Sequence, residues 1–118
     1  MWELEFSAEA EWDFELIFDH LARSYVDLGD DPDAALNRAA DRIRGIRSSI
    51  DTLAKSPFIG TLRPDIRANL RFVRLEKTVI WFLPDEDRVC VVVIALFFGA
   101  QETVTGVDRF GARGFDRL

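Results

Sequence analysis

Five basic side chains stand close together in a chain that is acidic as a whole. The formal net charge is -6, but the stretch RPDIRANLRFVRLEK at positions 63–77 is rich in cations. Guanidinium and ammonium groups donate hydrogen bonds to phosphates and to carboxylates. The stretch could therefore contact nucleic acid, hold an acidic protein partner, or keep an exposed strand soluble. We name these residues the cationic corner: Arg63, Arg67, Arg71, Arg74 and Lys77.

The local sequence decides how these cations are arranged. Their spacing would align them on a helix, but Pro64 and the strand-like run LRFVRL make one continuous helix improbable. On a regular strand, Arg71 and Arg74 point to opposite faces of the sheet. The sequence thus predicts a corner with cations on both faces, better suited to an acidic protein segment than to a flat nucleic-acid patch.

The distribution of acids argues against duplex binding. Residues 1–35 contain eleven Asp and Glu side chains and a single base, Arg23. Such a concentration of negative charge repels phosphates on that side of the molecule.

Composition narrows the class further. The length of 118 residues suits one domain. Cys90 is the only cysteine and His20 the only histidine, so the sequence predicts no disulfide, no zinc site and no metal or cofactor. The acidic N-terminus does not resemble a signal peptide, and the longest apolar run is too short to span a membrane. We expect a soluble, cytoplasmic protein with no membrane partner.

Periodicity predicts the order of elements. MWELEFS alternates as a strand does, and Ser7 is the predicted N-cap of a first helix. Asp31 and Pro32 begin a second helix. We expect Gly45, inside that second helix, to reflect close packing against a neighbour. The predicted apolar stripes comprise Phe14, Ile17, Phe18, Leu21, Tyr25 and Leu28 on the first helix, and Leu36, Ala39, Ala40, Ile43, Ile46, Ile50 and Leu53 on the second.

Three apolar runs follow, LRFVRL, TVIWFL and RVCVVVIALFF, separated by EK and PDED as predicted turns. They form an antiparallel meander whose last strand should be central, because it is apolar at nearly every position. The predicted fold is α+β: an N-terminal strand, a helical hairpin, then a three-stranded meander. Residues 1–99 form the domain, and residues 100–118 are expected to be a C-terminal tail or short terminal element.

This order and these motifs resemble the RelE/ParE toxin superfamily of bacterial toxin and antitoxin pairs. The resemblance rests on the first helix SAEAEWDFELIFDHL, on LAKSPFIG, and on the meander LRFVRLEKTVIWFLPDEDRVCVVVIALFFG. It implies a small toxin that a cognate antitoxin neutralises, as in plasmid stabilization modules. Such toxins are mainly ribosome-dependent messenger RNA endonucleases or inhibitors of DNA gyrase.

The residues favour the second kind. An endonuclease of this superfamily usually places a histidine or tyrosine near the end of the last strand, where this chain has Phe97 and Phe98, which cannot transfer a proton. His20 and Tyr25 lie on the first helix, far along the chain. We therefore expect no catalytic residue, and a ParE-like toxin that acts by binding a protein, DNA gyrase.

Two alternatives stay open: a RelE-like nuclease that works on the ribosome and messenger RNA, and a non-toxic antitoxin-binding module. The expected partner-binding residues are the cationic corner and Trp12, which lies off the apolar stripe of the first helix. A homodimer, or a heterotetramer with the antitoxin, is the expected assembly.

Overall fold

A computed structural model describes residues 1–99 of the chain. These residues form a five-stranded sheet with the strand order β1-β5-β4-β3-β2. The strands are β1 (Glu3–Phe6), β2 (Thr61–Leu62), β3 (Arg71–Leu75), β4 (Thr78–Asp85) and β5 (Cys90–Phe98). β3, β4 and β5 are the predicted antiparallel meander, and β1 pairs with β5 in parallel. The predicted α+β fold is confirmed, with β5 inside the sheet as its composition requires.

The helices begin where the sequence predicts. They are α1 (Ala8–Asp27), α2 (Pro32–Ile50) and the short α3 (Thr52–Lys55). Ser7 caps α1 by accepting a hydrogen bond from the amide of Ala10, and Asp31 caps α2 by accepting one from the amide of Ala34. The predicted second helix is interrupted at Asp51, so its last turn is the separate helix α3.

The helical hairpin covers one face of the sheet. Its buried side chains pack against alternate residues of the two central strands, which is the arrangement that a half-apolar helix and a pleated strand require. The core on this face contains Phe14, Ile17 and Leu21 of α1, Ala39, Ile46 and Ile50 of α2, and Ile80, Phe82, Val91, Val93 and Leu96 of the sheet.

A second apolar cluster lies on the opposite face. Its largest member is Trp81, which is fully buried, and the segment between β2 and β3 contributes Ile66 and Leu70 to it. Apolar residues on both faces explain why β5 reads as a continuous apolar run rather than an alternating one.

A β-bulge in β5 anchors α1 to the sheet. Trp81 pairs with Ala95 and Phe82 with Val93, so Ile94 is an extra residue in β5. The hydroxyl of Ser7 donates to the carbonyl of Ile94 at 3.0 Å. The buried carboxylate of Asp13 accepts from the amide of Leu96, also at 3.0 Å. The start of α1 therefore satisfies backbone groups of β5 beyond the end of β1.

Two predicted core residues are exposed. Leu28 follows the last residue of α1 and is 78% exposed, because the chain there has left the helical face that packs on the sheet. Leu36 is 47% exposed and lies outside the buried stripe of α2, where Ala35 takes the core position.

The explanation of Gly45 by close packing is wrong. Gly45 is exposed, and a Cβ atom added there would meet nothing within 4 Å.

Of the two predicted turns, the first is confirmed and the second is displaced along the chain. Glu76 and Lys77 form the turn between β3 and β4, both with positive φ, as a two-residue hairpin loop requires. The second turn lies later than predicted: Pro84 and Asp85 still belong to β4, and the turn occupies residues 86–89.

The predicted C-terminal tail, residues 100–118, lies outside the described residues. Within residues 1–99, no helix is both long enough and apolar enough to cross a bilayer.

Candidate functional site

Arg67 and Arg71 of the cationic corner line one open groove of about 630 Å³ at the β2 end of the sheet. Arg67 lies in the segment between β2 and β3, and Arg71 is the first residue of β3. The same groove is lined by Phe58 and Leu62, which are 48% and 45% exposed. The fold thus joins two of the predicted cations to two exposed apolar side chains, a combination typical of protein-binding surfaces.

Arg71 is held in place by the loop that precedes β2. Its guanidinium donates a hydrogen bond to the carbonyl of Phe58 at 2.7 Å and lies 5.5 Å from the centre of the Phe58 ring. The loop is fixed in turn at Gly60, whose φ of +82° suits glycine and whose position leaves no room for a Cβ beside the Phe72 carbonyl. Arg71 is therefore preorganised, with part of its hydrogen-bonding capacity left for a partner.

Acidic side chains also line the groove. It contains Asp85 at the end of β4, and Glu86 and Asp87 in the turn that follows. Asp85 also accepts a hydrogen bond from the amide of Arg88 at 3.2 Å. A groove lined by both cations and carboxylates is poorly suited to a continuous phosphate backbone, and suits a protein segment that carries both signs of charge.

Arg63 lies nearby but has its own counter-ion. Its guanidinium makes two hydrogen bonds to Asp65, at 2.9 and 2.8 Å. The bidentate contact raises the pKa of Arg63 and lowers the pKa of the Asp65 carboxyl, chiefly through the hydrogen bond between them. Because Asp65 already compensates this charge, Arg63 has less to offer an acidic partner.

The remaining predicted residues lie elsewhere. Arg74 alternates with Arg71 along β3, as predicted, and is exposed at the side of the sheet that carries Phe72. Lys77 is exposed in the turn between β3 and β4. Trp12 is 57% exposed on the side of α1 that faces away from the sheet. The structure therefore divides the predicted site among four places: the groove, the Phe72 side of the sheet, the turn between β3 and β4, and the outward side of α1.

His20 lies close to the end of β5, although the two are far apart along the chain. The ring of His20 on α1 lies 6.1 Å from the ring of Phe98, centre to centre. Arg42 of α2 lies 5.9 Å from the same ring and donates to the side chain and the carbonyl of Glu76 at 3.2 and 3.0 Å. Sequence distance alone was thus a poor reason for separating His20 from the end of the last strand.

The groove and the end of β5 each contain side chains that could take part in binding or catalysis. In the groove, the other ionisable side chains are carboxylates, which can accept hydrogen bonds and form ion pairs. At the end of β5, His20 supplies an imidazole, a side chain of the kind that acts as a general acid or base. Within the described part of the chain, no three side chains of His, Cys, Asp and Glu are grouped so that they could hold a metal ion.

Sequence reasoning missed the apolar and acidic walls of the groove. Phe58 and Leu62 fall in an irregular segment without periodicity, and the acids of PDED had the composition of an ordinary solvated turn. The position of PDED between two predicted strands could have placed these acids at one end of the sheet. It could not have placed the loop before β2 beside them, because that contact depends on the tertiary fold.

Comparison with known proteins gives a fold and no sequence family. No family model matches the chain, and no curated protein matches it. Among solved structures, a chain of the chromosomal ParDE TA system from P. aeruginosa is 20% identical, with a TM-score of 0.63, over 85% of this chain and 98% of that one.

Two further structures are similar. One is the intact E. coli RelBE toxin-antitoxin complex, at 12% identity and a TM-score of 0.52, over 85% of this chain and 99% of that one. The other is the isolated E. coli RelE toxin, at 11% identity and a TM-score of 0.51, over 93% and 99%. The order of strands and helices and these likenesses together establish that the chain has the RelE/ParE fold.

Proposed function

We propose that this protein is a ParE-like toxin of a type II toxin-antitoxin system, and that it acts in the cytoplasm by binding DNA gyrase. The observation that carries the proposal is the likeness to the ParDE chain, with a TM-score of 0.63 over 98% of that chain, against 0.52 and 0.51 for the RelE structures. The residues of the groove support a protein target, because its walls carry charges of both signs beside exposed apolar side chains.

The proposed antitoxin contact is the groove itself. An acidic antitoxin segment would place carboxylates on Arg67 and Arg71, and apolar side chains on Phe58 and Leu62. Basic or polar residues of the same segment would face Asp85, Glu86 and Asp87. Such a pattern of charges sets the orientation and the register of a bound peptide more than its raw affinity.

A specific observation supports a second candidate, a RelE-like messenger RNA endonuclease. His20 and Arg42 flank Phe98 at the end of β5, which would supply a proton-transferring group, a cation and a ring for stacking on a base. Against it, no acid or base among residues 1–99 is hydrogen-bonded to the His20 side chain, and Asp19 and Glu76 place negative charge nearby. A His20→Gln variant separates the candidates, because it would abolish cleavage but leave gyrase binding intact.

Induced expression in bacteria tests whether the protein is a toxin. We expect growth to stop, and to resume when the cognate antitoxin is expressed with it. Inhibition of purified gyrase and cleavage of ribosome-bound messenger, measured side by side, then identify the target. Unimpaired growth with a folded, abundant protein would contradict the toxin proposal and leave an antitoxin-binding module of the same fold.

A further inference from the structure

The outward side of α1 carries a stripe that the described part of the chain does not cover. Trp12, Leu16, Asp19, Arg23 and Val26 follow one another at spacings of four, three, four and three residues. This is the spacing of the contact positions along a helix that packs lengthwise against another helix. The buried side of α1, with Phe14, Ile17 and Leu21, lies opposite the stripe, so the sheet does not use it. The start of α2 borders the stripe only at its C-terminal end, where Arg23 and Val26 line a groove shared with α2.

The stripe is apolar at both ends and charged in the middle. Trp12, Leu16 and Val26 are 57%, 44% and 42% exposed. Asp19 and Arg23 are also exposed, and neither forms an ion pair with another described residue. Arg23 is the only base in the first 35 residues. A surface that complements this stripe must therefore place a carboxylate opposite Arg23, a cation opposite Asp19 and apolar side chains opposite the ends.

The surface that complements this stripe is the stripe itself. We propose that the stripe of α1 pairs antiparallel with the same stripe of a second copy of this chain. The two-fold axis crosses the stripe between Asp19 and Arg23, at the height of Leu21 along the helix. In that arrangement, Leu16 lies against Val26 of the second copy, and Asp19 lies against Arg23 of the second copy. The symmetry repeats both contacts, as an isologous interface must. At about 1.5 Å per residue, the matched contacts from Leu16 to Val26 extend over about 15 Å of helix.

Trp12 extends the contact at each end. In the same register it lies one turn beyond Leu16 and meets the segment between α1 and α2 of the second copy. That segment borders an apolar groove of about 290 Å³ lined by Val26, Pro32, Ala35 and Leu36. Leu28, in the same segment between the helices, is 78% exposed. An aromatic side chain seated in an apolar groove is the usual energetic centre of a protein interface.

The proposal is independent of the toxin assignment, since it rests on α1 alone and not on the groove at Arg67 and Arg71. Its test is the molar mass of the purified full-length chain, measured by sedimentation and light scattering from low to high micromolar concentration. We expect a monomer and dimer equilibrium. Asp19→Arg and Arg23→Asp should each raise the dimer dissociation constant by about tenfold or more, because two attractions become two repulsions.

Mixing the two variants gives the sharpest result. A chain with Asp19→Arg has arginine at both positions and a chain with Arg23→Asp has aspartate at both, so the two together should form a heterodimer, although each alone is monomeric. The double variant Asp19→Arg with Arg23→Asp should restore the homodimer. Lys55→Glu, an exposed charge reversal in α3, is the matched control and should leave the mass unchanged.

Three outcomes would overturn the proposal. The first is a wild-type chain that stays monomeric at all concentrations. The second is a dimer that Asp19→Arg and Trp12→Ala leave intact in folded protein. The third is failure of the mixed variants to associate, accompanied by weaker antitoxin binding for each, which would assign the stripe to the antitoxin. Circular dichroism of each variant establishes that it is folded.

Discussion

The carboxylate of Asp13 accepts a hydrogen bond from the backbone amide of Leu96, and both residues are buried. This contact joins α1 to β5 just past the bulge at Ile94. Replacing Asp13 with alanine leaves that amide without its acceptor in the protein interior, which costs about 1–3 kcal/mol of unfolding free energy. Urea denaturation followed by circular dichroism measures the loss.

Asp13→Asn is the matched control, since its amide oxygen can still accept the bond. We expect it to lose less stability than Asp13→Ala. Equal stability of Asp13→Ala and the wild type would show that the contact does not hold α1 on the sheet.

The contact between Asp13 and Leu96 could not be predicted from the sequence, although the helix caps and one turn could. Ser7 as a helix cap, Asp31 and Pro32 at the next helix, and the turn at Glu76 follow from local chemistry and were predictable. The bulge was not, because β5 is apolar at almost every position, and an extra residue in such a run changes no visible alternation. Without the bulge, nothing marked Asp13 as a buried acceptor among so many acids.

Two glycines should respond in opposite ways to alanine. Gly45 is exposed within α2 with open space around it, so Gly45→Ala should stabilise the fold by about 0.5–1 kcal/mol through helix propensity. Gly60 has a φ of +82° and no space beside the Phe72 carbonyl, so Gly60→Ala should destabilise it by at least about 1–2 kcal/mol. Paired thermal melts of the two variants check both signs. A destabilised Gly45→Ala would revive close packing as the explanation.

The thiol of Cys90 should make stability depend on alkaline pH. Burial raises its pKa from 9.0 to about 11, and its contact with Glu5 adds to the shift. The unfolded chain therefore loses this proton at a lower pH than the folded chain, so the free energy of unfolding falls as pH rises from about 9 towards 11. Below that window the thiol contributes no pH dependence.

Cys90→Ala isolates this effect from that of other groups. We expect the wild type to lose more stability than the variant between pH 8 and about 10.5. Parallel curves for the two proteins would show that the thiol ionises equally well in the folded chain.

The groove predicts which arginines bind the antitoxin. Arg67→Ala combined with Arg71→Ala should weaken antitoxin binding by about tenfold or more, because both cations line the proposed site. Arg74→Ala removes the same kind of charge from the other side of the sheet and should have a smaller effect. Calorimetric titration measures both, and thermal melts report any stability lost with the Arg71 contact to Phe58. An equal loss for Arg74→Ala would point to general electrostatic attraction.

The site was harder to predict from sequence than the fold. The cationic corner, and the opposite faces of Arg71 and Arg74, could be predicted from composition and strand alternation. The groove could not, because it joins Phe58 and Arg67 to the acids around Asp85, and that proximity depends on how the loop before β2 meets the end of β4. The approach of His20 to Phe98 has the same origin, the packing of α1 on β5.

Supercoiling of relaxed plasmid by purified gyrase is the decisive test of the proposal that this protein is a toxin that binds DNA gyrase. We expect the purified protein to inhibit supercoiling at stoichiometric amounts, and the Arg67→Ala, Arg71→Ala and His20→Gln variants to show whether the groove or the end of β5 is responsible. Addition of the antitoxin should restore activity. Unimpaired supercoiling, together with cleavage of ribosome-bound messenger that His20→Gln abolishes, would show that the protein is a nuclease and not a gyrase inhibitor.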